Sequence, residues 1–171
     1  MRSTSAVDRY LARALALLAA PGAGALLDPL CGSGTIVVKA RLARPEAEAA
    51  GVDVEPGAIA AATLNADAAG VSAAFRVADA GDLPIGAGTL DAVATNPPWG
   101  LRVSAAGALR GGFDRFWAEL ARVLADEGRA VVLLPGATRV PGQTGLEIVE
   151  RTAVRVAGRL ADVVVLERRH S

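Results

Sequence analysis

The stretch Ala25-Leu-Leu-Asp28-Pro-Leu-Cys31-Gly32-Ser-Gly34-Thr35 decides the fold. A short apolar run meets an acid and a proline, crosses two glycines, and continues through Ile36, Val37, Ala40 and Leu42 at helical spacing. This pattern is a strand, a glycine-rich turn and the start of a helix. Glycine at 32 and 34 lets the backbone approach a ligand closely, and the helix start offers unpaired N–H groups at the positive end of its dipole. Such geometry suits a carboxylate or a phosphate. A Gly-x-Gly turn alone is a weak signal, so the units on either side have to support it.

The next unit does. Ala49-Ala-Gly-Val-Asp53 is a second strand ending in an acid. That acid comes about twenty residues after the first glycine, the spacing at which nucleotide-binding βαβ units hold a ribose diol. Pro56 suits the first position of a helix, with Ile59, Ala62, Thr63 and Ala66 inward and Gly70 as the stop. A third strand over 73–78 ends at Asp79, placed to reach an adenine amine. Upstream, Val7, Leu11, Leu15 and Leu18 are spaced for a helix over 5–19 that Pro21 and Gly22 end. Alternating strands and helices predict a doubly wound α/β sheet, with its ligand beyond the carboxyl ends of the strands. Asp28, Asp53, Asp79 and Asn96 would all end strands on that edge. One such residue is commonly a cap or turn former; four in register point to a site.

The fourth member of that set closes the run Leu90-Asp-Ala-Val-Ala-Thr95-Asn96-Pro97-Pro98-Trp99-Gly-Leu-Arg102. A buried strand stops here at a rigid turn with an aromatic residue at its tip. Pro97 and Pro98 fix φ and donate no N–H, leaving nearby carbonyls available to a ligand. Asn96 adds an amide and Trp99 a flat apolar face. Together they suit a planar base that carries an exocyclic amine.

Composition narrows the setting. A length of 171 residues fits one domain over 1–171, opening with a short helix. No apolar run approaches the ~20 residues of a membrane span, and no signal-peptide layout opens the chain, so the expected location is cytoplasmic. A formal net charge of zero argues against indiscriminate binding to polyanions. The charge is uneven, however: residues 1–99 carry seven Lys/Arg against ten Asp/Glu, and residues 100–171 eleven against eight. Arg102, Arg110, Arg115, Arg151, Arg155, Arg159, Arg168 and Arg169 all follow the Asn-Pro-Pro-Trp turn. The single cysteine excludes an internal disulfide, and the single histidine, His170, excludes a histidine base or a zinc site. Phe113, Phe116, Trp117 and Leu120 recur at core spacing on a helix. The acids away from the strand ends read as caps or solvated charge.

The nucleotide is not a nicotinamide dinucleotide, because Val37 stands where the third glycine or alanine of that fingerprint belongs. Nor is there the Gly-Lys-Ser/Thr of a P-loop. An adenosine bearing an amino-acid carboxylate fits better, which means S-adenosylmethionine. Its carboxylate would face the glycine turn, its ribose Asp53 and its adenine Asp79.

Asp28-Pro-Leu-Cys-Gly-Ser-Gly-Thr-Ile36 together with Thr95-Asn-Pro-Pro-Trp-Gly-Leu-Arg102 resembles class I S-adenosylmethionine-dependent methyltransferases. Within them it is most similar to the catalytic domain of the THUMP-associated RNA guanine-N2 methyltransferases. The resemblance implies a Rossmann-like, seven-stranded, mostly parallel sheet. In it, Phe116–Leu124 and 128–134 would be a helix and the fifth strand, and 150–157 and 161–168 a closing antiparallel hairpin. It also implies cofactor contacts at Asp28, Cys31, Gly32, Gly34, Thr35, Asp53, Val54, Asp79, Ala80 and Asn96. Catalysis would fall to Asn96, Pro97, Pro98 and Trp99, and substrate binding to Trp99 and Arg102, with no metal. Trp99 replaces the family's Tyr, and the first strand begins at Ala25, where the family carries an RNA-binding THUMP module ahead of it. The expected substrate is thus guanine N2 in tRNA or rRNA, delivered with the help of a separate RNA-binding subunit or a homodimer. DNA, a protein glutamine amide or a small molecule remain alternatives, as does a cofactor-binding subunit without catalysis. Cys31 in the cofactor turn reads as small-residue packing, which argues against a thiolate mechanism.

Overall fold

A computed structural model describes residues 8–20, 24–98, 113–136 and 138–169. The elements run α1 (Arg9–Ala19), β1 (Leu26–Asp28), α2 (Thr35–Ala43), β2 (Ala49–Asp53), α3 (Pro56–Ala68) and β3 (Ala74–Val77). They continue as β4 (Leu90–Thr95), α4 (Asp114–Val123), β5 (Leu124–Pro135), β6 (Leu146–Val156) and β7 (Arg159–Arg168). One seven-stranded sheet has the order β3-β2-β1-β4-β5-β7-β6. Strands β1 to β5 pair in parallel, whereas β7 is antiparallel to both β5 and β6. This is the doubly wound, mostly parallel sheet with a closing antiparallel pair that the sequence predicts.

Strand alternation explains the two-sided core. In β5, Val131 and Leu133 face α1 and α2, while Ala130, Val132 and Leu134 face Phe116, Trp117 and Leu120 of α4. A strand buried on both faces must be apolar throughout, as residues 130–134 are. The order of strands in the sheet reverses between β1 and β4, which lie side by side with Leu27 opposite Val93. A crevice opens at such a switch point beyond the carboxyl ends of the strands.

Several local expectations are corrected. Leu18 is 41% exposed and Leu42 46% exposed, and Thr63 is also exposed. Smaller residues take the inward places: Ala12, Ala16 and Ala19 beside Leu15 on α1, and Ala62 and Ala66 on α3. Alanine allows close approach of helix to sheet, and a larger side chain at these positions would overfill the space. Strand β5 begins at Leu124 instead of Gly128, with a register shift against β4 between Leu90 and Ala92. Gly128 is needed within that irregularity, because a Cβ there would lie 2.6 Å from the Leu90 carbonyl. The expected stop of α1 at Pro21 and Gly22 lies outside the described residues. Among the described residues, no helix is long and apolar enough to cross a membrane.

Candidate active site

The glycine turn leaves β1 and bends back toward β2. Cys31 N–H donates to the Val52 carbonyl at 2.9 Å, and Gly32 N–H to Asp53 Oδ2 at 2.9 Å. Gly34 has φ +79°, and a Cβ on it would lie 2.9 Å from Ala62 Cβ and 3.1 Å from the Phe75 ring. Gly32 also has positive φ, +52°, but faces open space, with nothing within 4 Å of the point a Cβ would occupy. The two glycines therefore serve different ends. Gly34 packs the turn onto α3 and β3, and Gly32 presents bare backbone to whatever lies in the crevice. Helix α2 then starts at Thr35, with no side chain capping its first N–H groups.

Two supports of this turn leave no signal in the sequence. Asn65 Nδ2 on α3 donates to the Ser33 carbonyl at 2.9 Å. Phe75 of β3 lies under both Gly34 and Gly51. Cys31 is buried beside Gly51, where an added Cβ would lie 2.8 Å from its own Cβ. Burial, then the charges of Asp28 and Asp53, push its thiol pKa well up, so it stays protonated and packs.

The expected strand-end residues do share one edge. Asp28 ends β1, Asp53 ends β2, and Asn96 follows Thr95 at the end of β4. Asp28 is 2% exposed, and Oδ1 accepts from Leu30 N–H at 3.1 Å. Burial raises its pKa to about 7; the Thr95 hydroxyl and Leu30 N–H pull it back, and the Asp53 charge adds to the rise. Asp53 spreads its carboxylate between Gly32 N–H and Glu55 N–H, the latter donating to Oδ1 at 3.0 Å. Val54 beside it is half-buried. Asp79 lies past the end of β3, and its Oδ1 accepts from Gly81 N–H at 2.9 Å, while Ala80 is buried. Asn96 is half-buried with its side-chain oxygen fully covered, Pro97 is buried, and Pro98 is half-buried. Trp99 and Arg102 lie outside the described residues, as does Arg110.

Among the described residues two acids away from the strand ends, Glu119 and Asp162, are buried and ion-paired, neither caps nor solvated. Glu119, 8% exposed on α4, accepts from Leu83 N–H at 2.7 Å and pairs with Arg122 at 2.6 Å. Arg122 in turn donates to the Leu83 and Ile85 carbonyls. Its hydrogen bond to Glu119 holds that carboxyl below the usual range. This clasp ties α4 to the segment that carries Asp79. The surface clefts among the described residues that are lined by Leu26, Glu48 and Ala49 open on the opposite, amino edge of the sheet.

The family model for the RMKL-like methyltransferase domain matches residues 2–157. The chain belongs to that family. This RMKL-like methyltransferase domain is 34% identical over 125 residues to a demethylmenaquinone methyltransferase of Thermus thermophilus, covering 73% of this chain and 53% of that protein. It is 31% identical over 134 residues to the U6 snRNA (guanine-N(2))-methyltransferase THUMPD2 of Bos taurus, covering 77% of this chain and 26% of that one. Among solved structures, TrmN from Thermus thermophilus superposes with a TM-score of 0.76 at 29% identity, covering 94% of this chain and 48% of that one. The domain thus spans about half of two of these relatives and a quarter of the third. It is a class I methyltransferase close to the THUMP guanine-N2 enzymes, and S-adenosylmethionine is its cofactor.

The residues present fit that cofactor. Open space beside Gly32, whose own N–H is held by Asp53, and uncapped N–H groups at α2 suit its carboxylate, and the acids Asp28 and Asp53 suit a molecule bearing an ammonium and a sulfonium. Neighbouring strands lie about 4.8 Å apart. The turn after β1 and Asn96 after β4 are therefore close enough for a methyl group to pass between ligands held at each.

Proposed function

We propose that this domain methylates an exocyclic amine of a base in RNA, guanine N2 in tRNA or rRNA, in the cytosol. The observation that carries the reading is the adjacency of Asn96-Pro97-Pro98 and the glycine turn across the β1–β4 switch point. The U6 snRNA (guanine-N(2)) activity that THUMPD2 is named for supports the choice of RNA and of the guanine amine.

An aromatic amine is a weak nucleophile because its lone pair is delocalised into the ring. The Asn96 side-chain oxygen and the Pro97 backbone carbonyl accept its two N–H bonds, which favours a pyramidal nitrogen with the lone pair directed at the donor methyl. When bound, S-adenosylmethionine supplies that methyl on a sulfonium, which leaves as a neutral thioether while the amine gives up one proton to water. Pro97 is buried and Asn96 half-buried at the end of β4; the Asn96 oxygen, covered in this structure, turns toward the base as it enters, and the rate comes from positioning and electrostatics. Asp28 would hold the methionine ammonium and Asp53 the ribose hydroxyls. Asp79 would accept from the adenine amine, with Val54 and Ala80 flanking the adenosine. Trp99 stacks on the target base, a contact of ~1–3 kcal/mol, and Arg102 meets a phosphate.

The test is transfer of a tritiated methyl from S-adenosylmethionine to total tRNA, rRNA, DNA and protein. Label in RNA supports the reading. Label confined to DNA or protein, or none in any of them, overturns it.

A further inference from the structure

The carboxyl edge of the sheet is electrically divided. Beyond β1, β2 and β3 lie Asp28, Asp53, Glu55, Asp79 and Asp82, and no Lys or Arg occurs in 24–34, 51–66 or 77–88. Arg115 and Arg122 reach this half from α4, but they bond to loop carbonyls and to Glu119. The other half is the reverse. Strand β7 runs antiparallel to β5 with Ala161 opposite Pro135, and Gly136 N–H donates to the Leu160 carbonyl. The β6–β7 turn therefore projects from the same edge as Asn96. It carries Arg155 and Arg159, both exposed, and no acid occurs in 151–161. Exposed Arg139 lies on the neighbouring loop, whose Thr138 carbonyl accepts from Arg151.

The nearby acids do not cancel these charges. Asp162 is engaged by Arg151 at 2.6 Å, and Glu150, on the face of Arg159 and not of Arg155, sits six residues back along β6 from Val156 at the turn, roughly 20 Å away. Arg155 bonds only weakly within its own turn, to the Gly158 carbonyl at 3.4 Å. Going from β4 across β5 to β7 and β6 takes two to three strand spacings, roughly 10–15 Å. That is within reach of the sugar-phosphate backbone flanking a base inserted at Asn96.

We propose that the tip of the β6–β7 hairpin, with Arg155 and Arg159 at its turn and Arg139 beside it, docks the phosphate backbone of the RNA substrate. This rests on the RNA reading above and adds where the polyanion lies. The acidic half attracts a cationic cofactor and repels phosphates, while the basic half does the opposite, so the two ligands approach from opposite sides of one crevice.

The probe is fluorescence anisotropy with unfractionated tRNA and with fragmented rRNA over 50–200 mM KCl. Methyl transfer to the same RNAs and S-adenosylhomocysteine binding are measured in parallel. The R155E/R159E pair should weaken RNA binding tenfold or more and lower the salt slope by about one to two, at ~0.7–0.9 per phosphate contact. Its affinity for S-adenosylhomocysteine should not change, because neither residue is in the crevice. The R9E/R13E pair on α1 makes the same change in net charge and should leave RNA binding within about twofold. Equal loss in both pairs, or an unchanged salt slope in R155E/R159E while the wild type methylates RNA, overturns the hairpin proposal and leaves the RNA reading standing. Absence of RNA methylation by the wild type overturns both.

Discussion

The two halves of the sheet edge are built in different ways. On the β1–β3 side, rigid backbone sets the geometry: each expected ligand contact sits in a turn whose carboxylates are already held by N–H groups, as with Asp53 on Gly32 and Glu55. On the β4–β7 side, the acceptors Asn96 and Pro97 sit on the end of a buried strand, followed by long-armed arginines on an exposed hairpin. A small cofactor of fixed shape rewards the first arrangement. A large flexible polyanion rewards the second, with a few fixed contacts at the reacting base and loose charge around it.

Breaking the fixed contacts on the substrate side should have the largest effect. Asn96→Ala is expected to lower the methyl-transfer rate ~100-fold or more, in the range for loss of one transition-state acceptor or donor, with S-adenosylhomocysteine affinity within about threefold. If most of the rate survives, the role given to Asn96 is wrong.

The glycines give a sharper contrast within the cofactor half. Gly34→Ala forces a Cβ to within 2.9 Å of Ala62 at positive φ, and should cost ~2–4 kcal/mol of stability in denaturant titration. Gly32→Ala meets open space, so it should cost only the ~1–2 kcal/mol of the left-handed backbone while lowering cofactor affinity by an order of magnitude or more. Equal stability losses with no difference in cofactor binding would remove the distinction.

Asp28 tests whether the cofactor half trades stability for binding. Its folded-state pKa of about 7 lies above the ordinary value of 3.8. Between these limits the unfolded carboxyl is ionised while the folded one keeps its proton, so folding takes up a proton and stability falls as pH rises. The loss is complete above pH 7 and absent below pH 4, and it is of order a few kcal/mol at ~1.4 kcal/mol per unit. Asp28→Asn should therefore raise the melting temperature at pH 8, flatten its pH dependence, and weaken binding of S-adenosylhomocysteine. A fall in melting temperature at pH 8 would contradict this account.

The smallest effect is expected at the α4 clasp. Glu119→Gln keeps an acceptor for Leu83 N–H but loses the charge facing Arg122. S-adenosylhomocysteine affinity should drop ~3–10-fold through displacement of the Asp79 segment, equivalent to about 1 kcal/mol. Glu119→Ala, which leaves a buried N–H unsatisfied, should also cost ~1–3 kcal/mol of stability. If cofactor affinity does not respond to Glu119→Gln, the clasp is structural only.

The sequence made the strand ends legible because each combines an apolar run with a polar stop, as in Ala49–Asp53 and Leu90–Asn96. Those stops fall on one edge in the fold for the same reason: parallel strands all present their carboxyl ends together. Long-range partners were not legible. Glu119 and Leu83 are 36 residues apart and Asn65 and Ser33 are 32 apart, and nothing local distinguishes a buried, paired glutamate from a solvated one. Hydrophobic spacing misplaces the inward-facing positions where alanines pack and leucines do not, because it favours the larger residue while close helix–sheet approach favours the smaller.

The most direct measurement is nucleoside analysis by mass spectrometry of RNA incubated with S-adenosylmethionine and either the wild-type protein or Asn96→Ala. N2-methylguanosine should form with the wild type and be largely absent with the variant. A methyl group on a ring carbon or a ribose oxygen, or N2-methylguanosine formed equally by both proteins, would contradict it.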